Sequence, residues 1–264
     1  YGEALERVRA LAQALLDRGL SSARPLAILS ENGIEHLLLT LAALHAGVAC
    51  APVSPAYSLL SVDHAKLRAI FALVTPGLVF ARDGERFARA IADALPPEVE
   101  VVLARGALPG RETTRFADLE RTPPTAEVDQ AFSRVGPDTI AKFLFTSGST
   151  GEPKAVINTQ RMLCSNQQML AQSLPSLAAE PPVLVDWLPW HHTAGGNHNV
   201  GITLYHGGTL FIDDGRPLPG MPGFAAFLTS RSDVALRIDG ELAEGLFSYD
   251  LAAAAGEGFD LFGQ

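Results

Sequence analysis

Nine residues in the middle of the chain combine the side chains that bind phosphate groups. Residues 146–154 read TSGSTGEPK and follow the apolar run FLF, which is typical of a strand end. Gly148 and Gly151 allow backbone N–H groups to approach an anion closely, the hydroxyls add donors, and Lys154 adds a positive charge. The stretch predicts a phosphate-binding loop. It is not a Walker loop, because Lys154 follows Glu-Pro and precedes no Ser or Thr. A flexible turn before a helix that starts near Thr159 is the alternative.

A second polar cluster lies at residues 190–199, which read WHHTAGGNHN. Histidines so close together raise zinc binding as one alternative. However, His191, His192 and His198 lack a recognised ligand spacing, and no cysteine accompanies them. For His191 and His198, a core or capping role is a further alternative. The residues alone do not favour a metal site.

Hydrophobic periodicity around these clusters alternates between strands and helices, which predicts βαβ units and a mainly parallel sheet. The predicted helices are 3–19, 34–45, 62–73 and 87–95, and the predicted strands are 25–30, 48–53, 77–81, 99–104, 140–145 and 209–212. Glu31 and Asn32 are capping-type residues before the second helix. Residues 106–138 are expected to be an irregular connection. Asp63, His64 and Lys66 are expected on the polar face of a helix.

Composition limits the class of protein. The chain has 264 residues, 47% of them hydrophobic and 19% charged, which predicts a folded α/β protein. Its net charge of −9 argues against a nucleic-acid binder. The longest apolar run is too short to span a bilayer, and the first ten residues do not resemble a signal peptide. Cys50 and Cys164 are predicted to be isolated buried thiols, which is consistent with the cytoplasm.

Several segments resemble a known family. The string TSGSTGEPK, with the following Ala155, Val156 and Thr159, is similar to the phosphate loop of the adenylate-forming superfamily of AMP-dependent synthetases and ligases. The segments YGEALERVRALAQALLDRGL, ILSENGIEHLLLTLAALHAGVACAPVSPAYSL and DWLPWHHTAGGNHNVGITLYHGGTLFIDDGRP resemble its feruloyl-CoA synthetase branch. The resemblance covers residues 1 to about 217. It implies the N-terminal large domain of the acyl-CoA synthetase fold, with βαβ layers and mainly parallel sheets.

The resemblance also implies a role for each candidate site residue. In the family, the loop binds the β- and γ-phosphates of ATP while a carboxylate attacks the α-phosphate, and the reaction yields an acyl-adenylate and pyrophosphate. The residues implied to bind ATP are Thr146, Ser147, Gly148, Ser149, Thr150, Gly151 and Lys154. Those implied to contact the acyl substrate are His191, His192, Ala194, Gly195 and Gly196. Lys154 and His192 take the catalytic roles, and Mg²⁺ and coenzyme A complete the set of cofactors.

Ala194 departs from the branch, which usually has a bulkier aromatic residue at this position. We therefore expect a wider pocket for an aryl or acyl group.

Three later elements of the family are not found in the sequence. They are a Tyr-Gly-x-Thr-Glu signature whose glutamate holds Mg²⁺, an aspartate that binds the ribose, and a small C-terminal domain with a catalytic lysine. We therefore expect residues 1–217 to form part of the N-terminal ATP- and acyl-binding domain and 218–264 to be a weakly matched tail, from later in that domain or the hinge. The C-terminal lid domain is expected to be absent. The alternatives are a fragment, an internally deleted relative and an incomplete sequence.

The expected function is ATP-dependent, AMP-forming activation of an aromatic, feruloyl-like carboxylic acid and its transfer to coenzyme A. One alternative is adenylation with a carrier protein or another acceptor. Another is a non-catalytic relative that keeps the nucleotide-binding loop. The expected partners are the acid, ATP and coenzyme A, with no nucleic acid or membrane. The oligomeric state stays open, a homodimer being one alternative.

Overall fold

The computed structural model of the protein describes residues 1–146 and 153–213. Its helices are α1 Gly2–Asp17, α2 Ile34–Ala46, α3 Ala56–Leu59, α4 Ala65–Val74, α5 Gly84–Ala94, α6 Phe116–Leu119, α7 Ala126–Arg134, α8 Gln160–Ser173, α9 Ser176–Ala179 and α10 Val200–Tyr205, with a π-helical turn at Ala194–Asn199. Its strands are β1 Leu26–Leu29, β2 Cys50–Pro52, β3 Leu78–Asp83, β4 Glu100–Arg105, β5 Thr114–Arg115, β6 Ile140–Thr146, β7 Lys154–Thr159, β8 Val183–Asp186 and β9 Thr209–Ile212. Among the helices in these two ranges, none is long and apolar enough to cross a membrane.

The strands form a large sheet and a small one. The large sheet has the order β5-β4-β3-β1-β2-β6-β7, and every neighbouring pair is parallel except β6 and β7. The small sheet pairs β8 with β9 in parallel. The predicted α/β class with a mainly parallel sheet is therefore confirmed. Parallel neighbours place the carboxyl ends of β1, β2 and β6 at one edge of the sheet, where the predicted phosphate loop follows β6, whereas the histidine cluster follows β8 of the small sheet.

The core lies on both faces of the large sheet. In β1, Leu26 and Ile28 pack into one cluster with α1 and α2, whereas Ala27 and Leu29 pack into the other with α4 and α5. This division follows from the two-residue repeat of a strand, which sends alternate side chains to opposite faces. All four residues of β1 are buried, which explains why the strand is a continuous apolar run.

The prediction of an irregular connection over 106–138 was wrong in part. Strand β5 extends the sheet beside β4, and α6 and α7 follow it. The Thr125 hydroxyl caps α7 by accepting a hydrogen bond of 3.2 Å from the Glu127 backbone N–H. This cap, with acidic residues in the first turn, was a helix signal.

Two predictions about single side chains were also wrong. His64 is not on the polar face of a helix: it precedes α4 with a φ of 49° and is buried. Its Nδ1 lies 2.9 Å from Asp93 Oδ2, and its Nε2 lies 3.2 Å from the Ser58 carbonyl oxygen. Polar partners on α3 and α5 therefore allow its burial. Cys50 is buried as predicted, but Cys164 is exposed on α8.

Candidate active site

The carboxyl ends of β2 and β6 border a cavity of about 220 Å³. The residues that line it come from β2, the following loop and α3, from β6, and from the histidine cluster: Pro52, Ser54, Tyr57, Phe145, Thr146, His191 and His192. The first residue of the predicted phosphate loop thus meets two histidines predicted to contact the acyl group. Imidazole and hydroxyl groups at the edge of a parallel sheet can bind the oxygen atoms of carboxylates and phosphates.

The two ends of the predicted phosphate loop face each other across a hairpin. Thr146, at the end of β6, pairs with Lys154, at the start of β7, and both are exposed. This register places Lys154 next to Thr146, and Thr146 lines the cavity. The remaining predicted phosphate-binding residues lie outside the described residues: Ser147, Gly148, Ser149, Thr150 and Gly151.

Asn32 fixes the segment before the histidines. Its side-chain Nδ2 donates to the Leu188 carbonyl oxygen at 2.8 Å, and its Oδ1 accepts from the Trp190 backbone N–H at 3.0 Å. The expectation that Asn32 caps α2 is therefore wrong: Gly33 occupies the N-cap position without a side-chain cap bond. One amide side chain instead satisfies a donor and an acceptor of a chain segment distant in sequence.

Trp190 is held by buried polar groups. Its Nε1–H donates to Asp186 Oδ2 at 2.7 Å, and Asn199 Nδ2 donates to the other carboxyl oxygen at 2.7 Å. Burial raises the pKa of Asp186, and these hydrogen bonds oppose the shift. The ring of His36 packs edge-on against Trp190, with centroids 5.3 Å apart. Because burial lowers the pKa of His36 to about 3, this imidazole is neutral near pH 7.

The two glycines of the cluster lie in the π-helical turn and are buried. A Cβ atom on Gly195 would lie 2.4 Å from the Leu188 carbonyl oxygen, and one on Gly196 would lie 2.2 Å from the Trp190 carbonyl oxygen. Close backbone contact therefore requires glycine at both positions. Ala194 is exposed and lies outside the lining of the cavity. The roles of these three residues in substrate binding stay predictions.

Sequence reasoning missed Lys142, which lies in β6 and is only 4% exposed. Its Nζ donates to the Gly196 carbonyl oxygen at 2.7 Å and to Asn197 Oδ1 at 3.0 Å. Burial lowers its pKa to about 8. A lysine inside an otherwise apolar strand was the signal that could have identified it.

The implied Mg²⁺ has no ligand set in the described part of the chain. Within residues 1–146 and 153–213, no group of three or more His, Cys, Asp or Glu side chains could hold a metal ion. We therefore derive no step through Mg²⁺.

Comparison with known proteins identifies the family. The sequence model for AMP-binding enzymes matches residues 1–229. The chain is 30% identical over 229 residues to a Streptomyces salicylyl-CoA synthase / salicylate adenylyltransferase, covering 83% of this chain and 41% of that protein. It is 28% identical over 231 residues to the Drosophila melanogaster long-chain-fatty-acid–CoA ligase heimdall, covering 83% of this chain and 33% of that protein.

A solved structure agrees with these matches. ATP-bound MatB from Rhodopseudomonas palustris superposes with a TM-score of 0.58 at 25% identity, covering 80% of this chain and 39% of that one. The chain thus spans about a third to two fifths of the length of these relatives. Since the family model covers most of the sequence, the chain belongs to the AMP-binding enzyme family.

Proposed function

We propose that the protein takes part in the ATP-dependent activation of a carboxylic acid. The acid's carboxylate attacks the α-phosphate of ATP, an acyl-adenylate forms, and pyrophosphate leaves. Coenzyme A then displaces AMP to give a thioester. The observation that carries this proposal is the cavity in which Thr146, at the start of the phosphate loop, meets His191 and His192. In this cavity, the phosphates of ATP and the carboxylate of the acid can accept hydrogen bonds from both predicted clusters, residues 146–154 and 190–199.

The chain's own residues bind and orient in this scheme. The loop N–H and hydroxyl groups of residues 146–151 and the Lys154 ammonium group bind the β- and γ-phosphates of ATP, so charge on the leaving pyrophosphate is stabilised. His192, which lines the same cavity as Thr146, donates a hydrogen bond to the carboxylate oxygens. Positioning and electrostatics, rather than acid-base chemistry, supply most of the rate in such transfers.

For the acid, we propose an aromatic carboxylate of the feruloyl type. The sequence resemblance of residues 1–217 supports an aromatic acid, as does the similarity to a salicylyl-CoA synthase. The similarity to a long-chain-fatty-acid–CoA ligase favours an aliphatic acid instead. If Ala194 borders the acyl group, as the resemblance implies, Ala194→Phe should shift preference from ferulate toward smaller acids such as benzoate. An unchanged preference would contradict this role.

Pyrophosphate exchange tests the activation step. Full-length protein is incubated with ATP, Mg²⁺, labelled pyrophosphate and a panel of ferulate, salicylate, benzoate and hexanoate. Acid-dependent exchange is expected, and it should fall at least tenfold in Lys154→Met and His192→Ala. Absence of exchange with every acid, together with ATP binding, would support the non-catalytic alternative and contradict the proposal. Thioester formation with coenzyme A then tests the acceptor.

A further inference from the structure

Lys142 is a buried cation in a strand that otherwise consists largely of apolar residues. Among the ion pairs of the described residues, none involves Lys142, and its Nζ instead contacts the Gly196 carbonyl oxygen and Asn197 Oδ1. Burying an ammonium group among uncharged acceptors disfavours the folded state compared with an apolar side chain of similar length. Core packing alone therefore does not explain a lysine here.

The contacts of Lys142 lead to His192, one of the two histidines that line the cavity. Lys142 Nζ donates to the Gly196 carbonyl oxygen at 2.7 Å. The Gly196 N–H donates in turn to the His192 carbonyl oxygen at 2.9 Å, and the His192 N–H donates to the Pro189 carbonyl oxygen at 3.0 Å. Lys142 and His192 are thus joined through a single residue of the π-helical turn. A charged donor makes the first of these bonds stronger than a neutral pair.

The turn itself needs such support. A π-helical turn is a rare backbone form that occurs mostly where function requires it. Asn197 adds a second contact to Lys142, at 3.0 Å, and donates from its Nδ2 to Asn158 Oδ1 at 3.0 Å. Lys142 therefore connects β6 to the turn at two points, while Asn158 connects it to β7.

We propose that Lys142 is a positioning residue, whose ammonium group holds the π-helical turn Ala194–Asn199 in the conformation that presents His192 to the cavity. The inference about conformation stands on the hydrogen bonds, whereas its consequence for acid activation rests on the proposed function.

The surroundings leave Lys142 as a positive charge among neutral groups. Cys50 faces it from β2, and burial raises the pKa of this thiol to about 11, so the thiol is uncharged near neutral pH. His36 on α2 has its pKa lowered to about 3, first by burial and also by the charges of Lys142 and His191. Asn197 and Gly196 contribute neutral acceptors from the turn. Since the pKa of Lys142 is about 8, the hold on the turn should weaken as pH rises above this value.

Two variants and one matched control test the proposal. Lys142→Met removes the donors and keeps the length, and Lys142→Gln keeps an uncharged donor. Gln13→Met is the control. Gln13 is buried to a similar extent as Lys142, but it forms hydrogen bonds with Thr125 and Asp17 and none with the π-helical turn. Hydrogen exchange of residues 188–199 reads the conformation without any substrate. At least tenfold faster exchange is expected there in Lys142→Met, an intermediate rate in Lys142→Gln, and the parent rate in Gln13→Met.

Kinetics supply the second readout. With ferulate, or whichever acid supports exchange, kcat should fall at least tenfold in Lys142→Met while the KM for ATP changes less than threefold. In the parent protein, kcat should fall as pH rises above about 8, where Lys142 loses its charge. In Lys142→Met this fall should be absent. Unchanged hydrogen exchange at residues 188–199 would overturn the proposal. If the parent protein supports no pyrophosphate exchange, the proposed function fails, and hydrogen exchange still decides the role of Lys142.

Discussion

Replacing Lys142 by methionine should change how the free energy of unfolding depends on pH. Burial lowers the pKa of Lys142 from 10.5 to about 8 in the folded protein. Between these two values the unfolded chain binds more protons than the folded protein, so stability rises as pH increases through this window. Methionine does not titrate, and Lys142→Met therefore removes this rise.

The size of the effect follows from the shift and from the contacts. One pKa unit corresponds to about 1.4 kcal/mol, so the charged form disfavours folding by about 3 kcal/mol below pH 8. Lys142→Met removes this penalty, but it also takes a donor away from Gly196 and Asn197, at a cost of about 1–3 kcal/mol for each buried acceptor. The two effects largely offset each other at pH 7. Near pH 10 only about a quarter of the penalty is left in the parent, so the variant becomes less stable by comparison.

Urea unfolding at pH 7, 8, 9 and 10 measures this difference. The stability of Lys142→Met relative to the parent should decline by about 2–3 kcal/mol across the series. Gln13→Met is the control, because it removes buried hydrogen bonds without changing a titrating group, and its difference from the parent should stay constant. Parallel pH dependence of the parent and Lys142→Met would show that burial does not perturb Lys142, which would refute the reasoning.

Three further predictions concern groups around the same segment. Asn32→Ala should lower the free energy of unfolding, measured in urea, by about 1–3 kcal/mol, because it leaves the Trp190 N–H and the Leu188 carbonyl group without their partner. Unchanged stability would mean that these two hydrogen bonds do not stabilise the fold. Gly196→Ala should lower the thermal midpoint by several degrees in calorimetry, since its Cβ would lie 2.2 Å from a carbonyl oxygen, whereas Gly136→Ala, with nothing within 4 Å, should not. Burial lowers the pKa of His36 from 6.5 to about 3, so as pH falls His36 becomes protonated in the unfolded chain before it does so in the folded protein. The free energy of unfolding should therefore decrease as pH falls from 6.5 toward 3. His36→Phe should lessen that acid loss in circular dichroism, and an identical acid transition would contradict the burial effect.

Hydrophobic periodicity was sufficient to predict the α/β class and the main strands and helices of the large sheet. The run LAIL of β1 is apolar because both faces of this central strand are covered, and the glycine after α2 takes a left-handed φ of 71° that ends the helix. These signals are local, so the sequence displays them directly. The family resemblance supplied the candidate residues Thr146, His191 and His192. The structure places all three around one cavity, and their roles in binding stay predictions.

The groups that position the histidines could not be predicted in this way. Asn32 has the residue type of a helix cap, yet its partners lie 156 and 158 positions further along the chain. His64 has the residue type of a surface side chain, and its contacts with Asp93 on α5 and with the Ser58 carbonyl oxygen on α3 make burial tolerable. Such roles depend on distances that appear only after the strands have assembled.

The order of the strands explains why one segment can bring these groups together. β2 lies between β1 and β6, so Asn32, which follows β1, and Lys142, within β6, are on opposite sides of the strand whose end supplies Pro52 to the cavity. Cys50 of β2 is in register with Lys142 of β6. The backbone of Lys142 therefore lies in the pairing of the two strands, while the Lys142 side chain holds the π-helical turn. A shift of β6 against β2 would therefore move Thr146, at the end of the same strand, and His192, through Gly196, at the same time. The cavity geometry is thus coupled to the register of two strands, and Lys142 is the residue at which both meet.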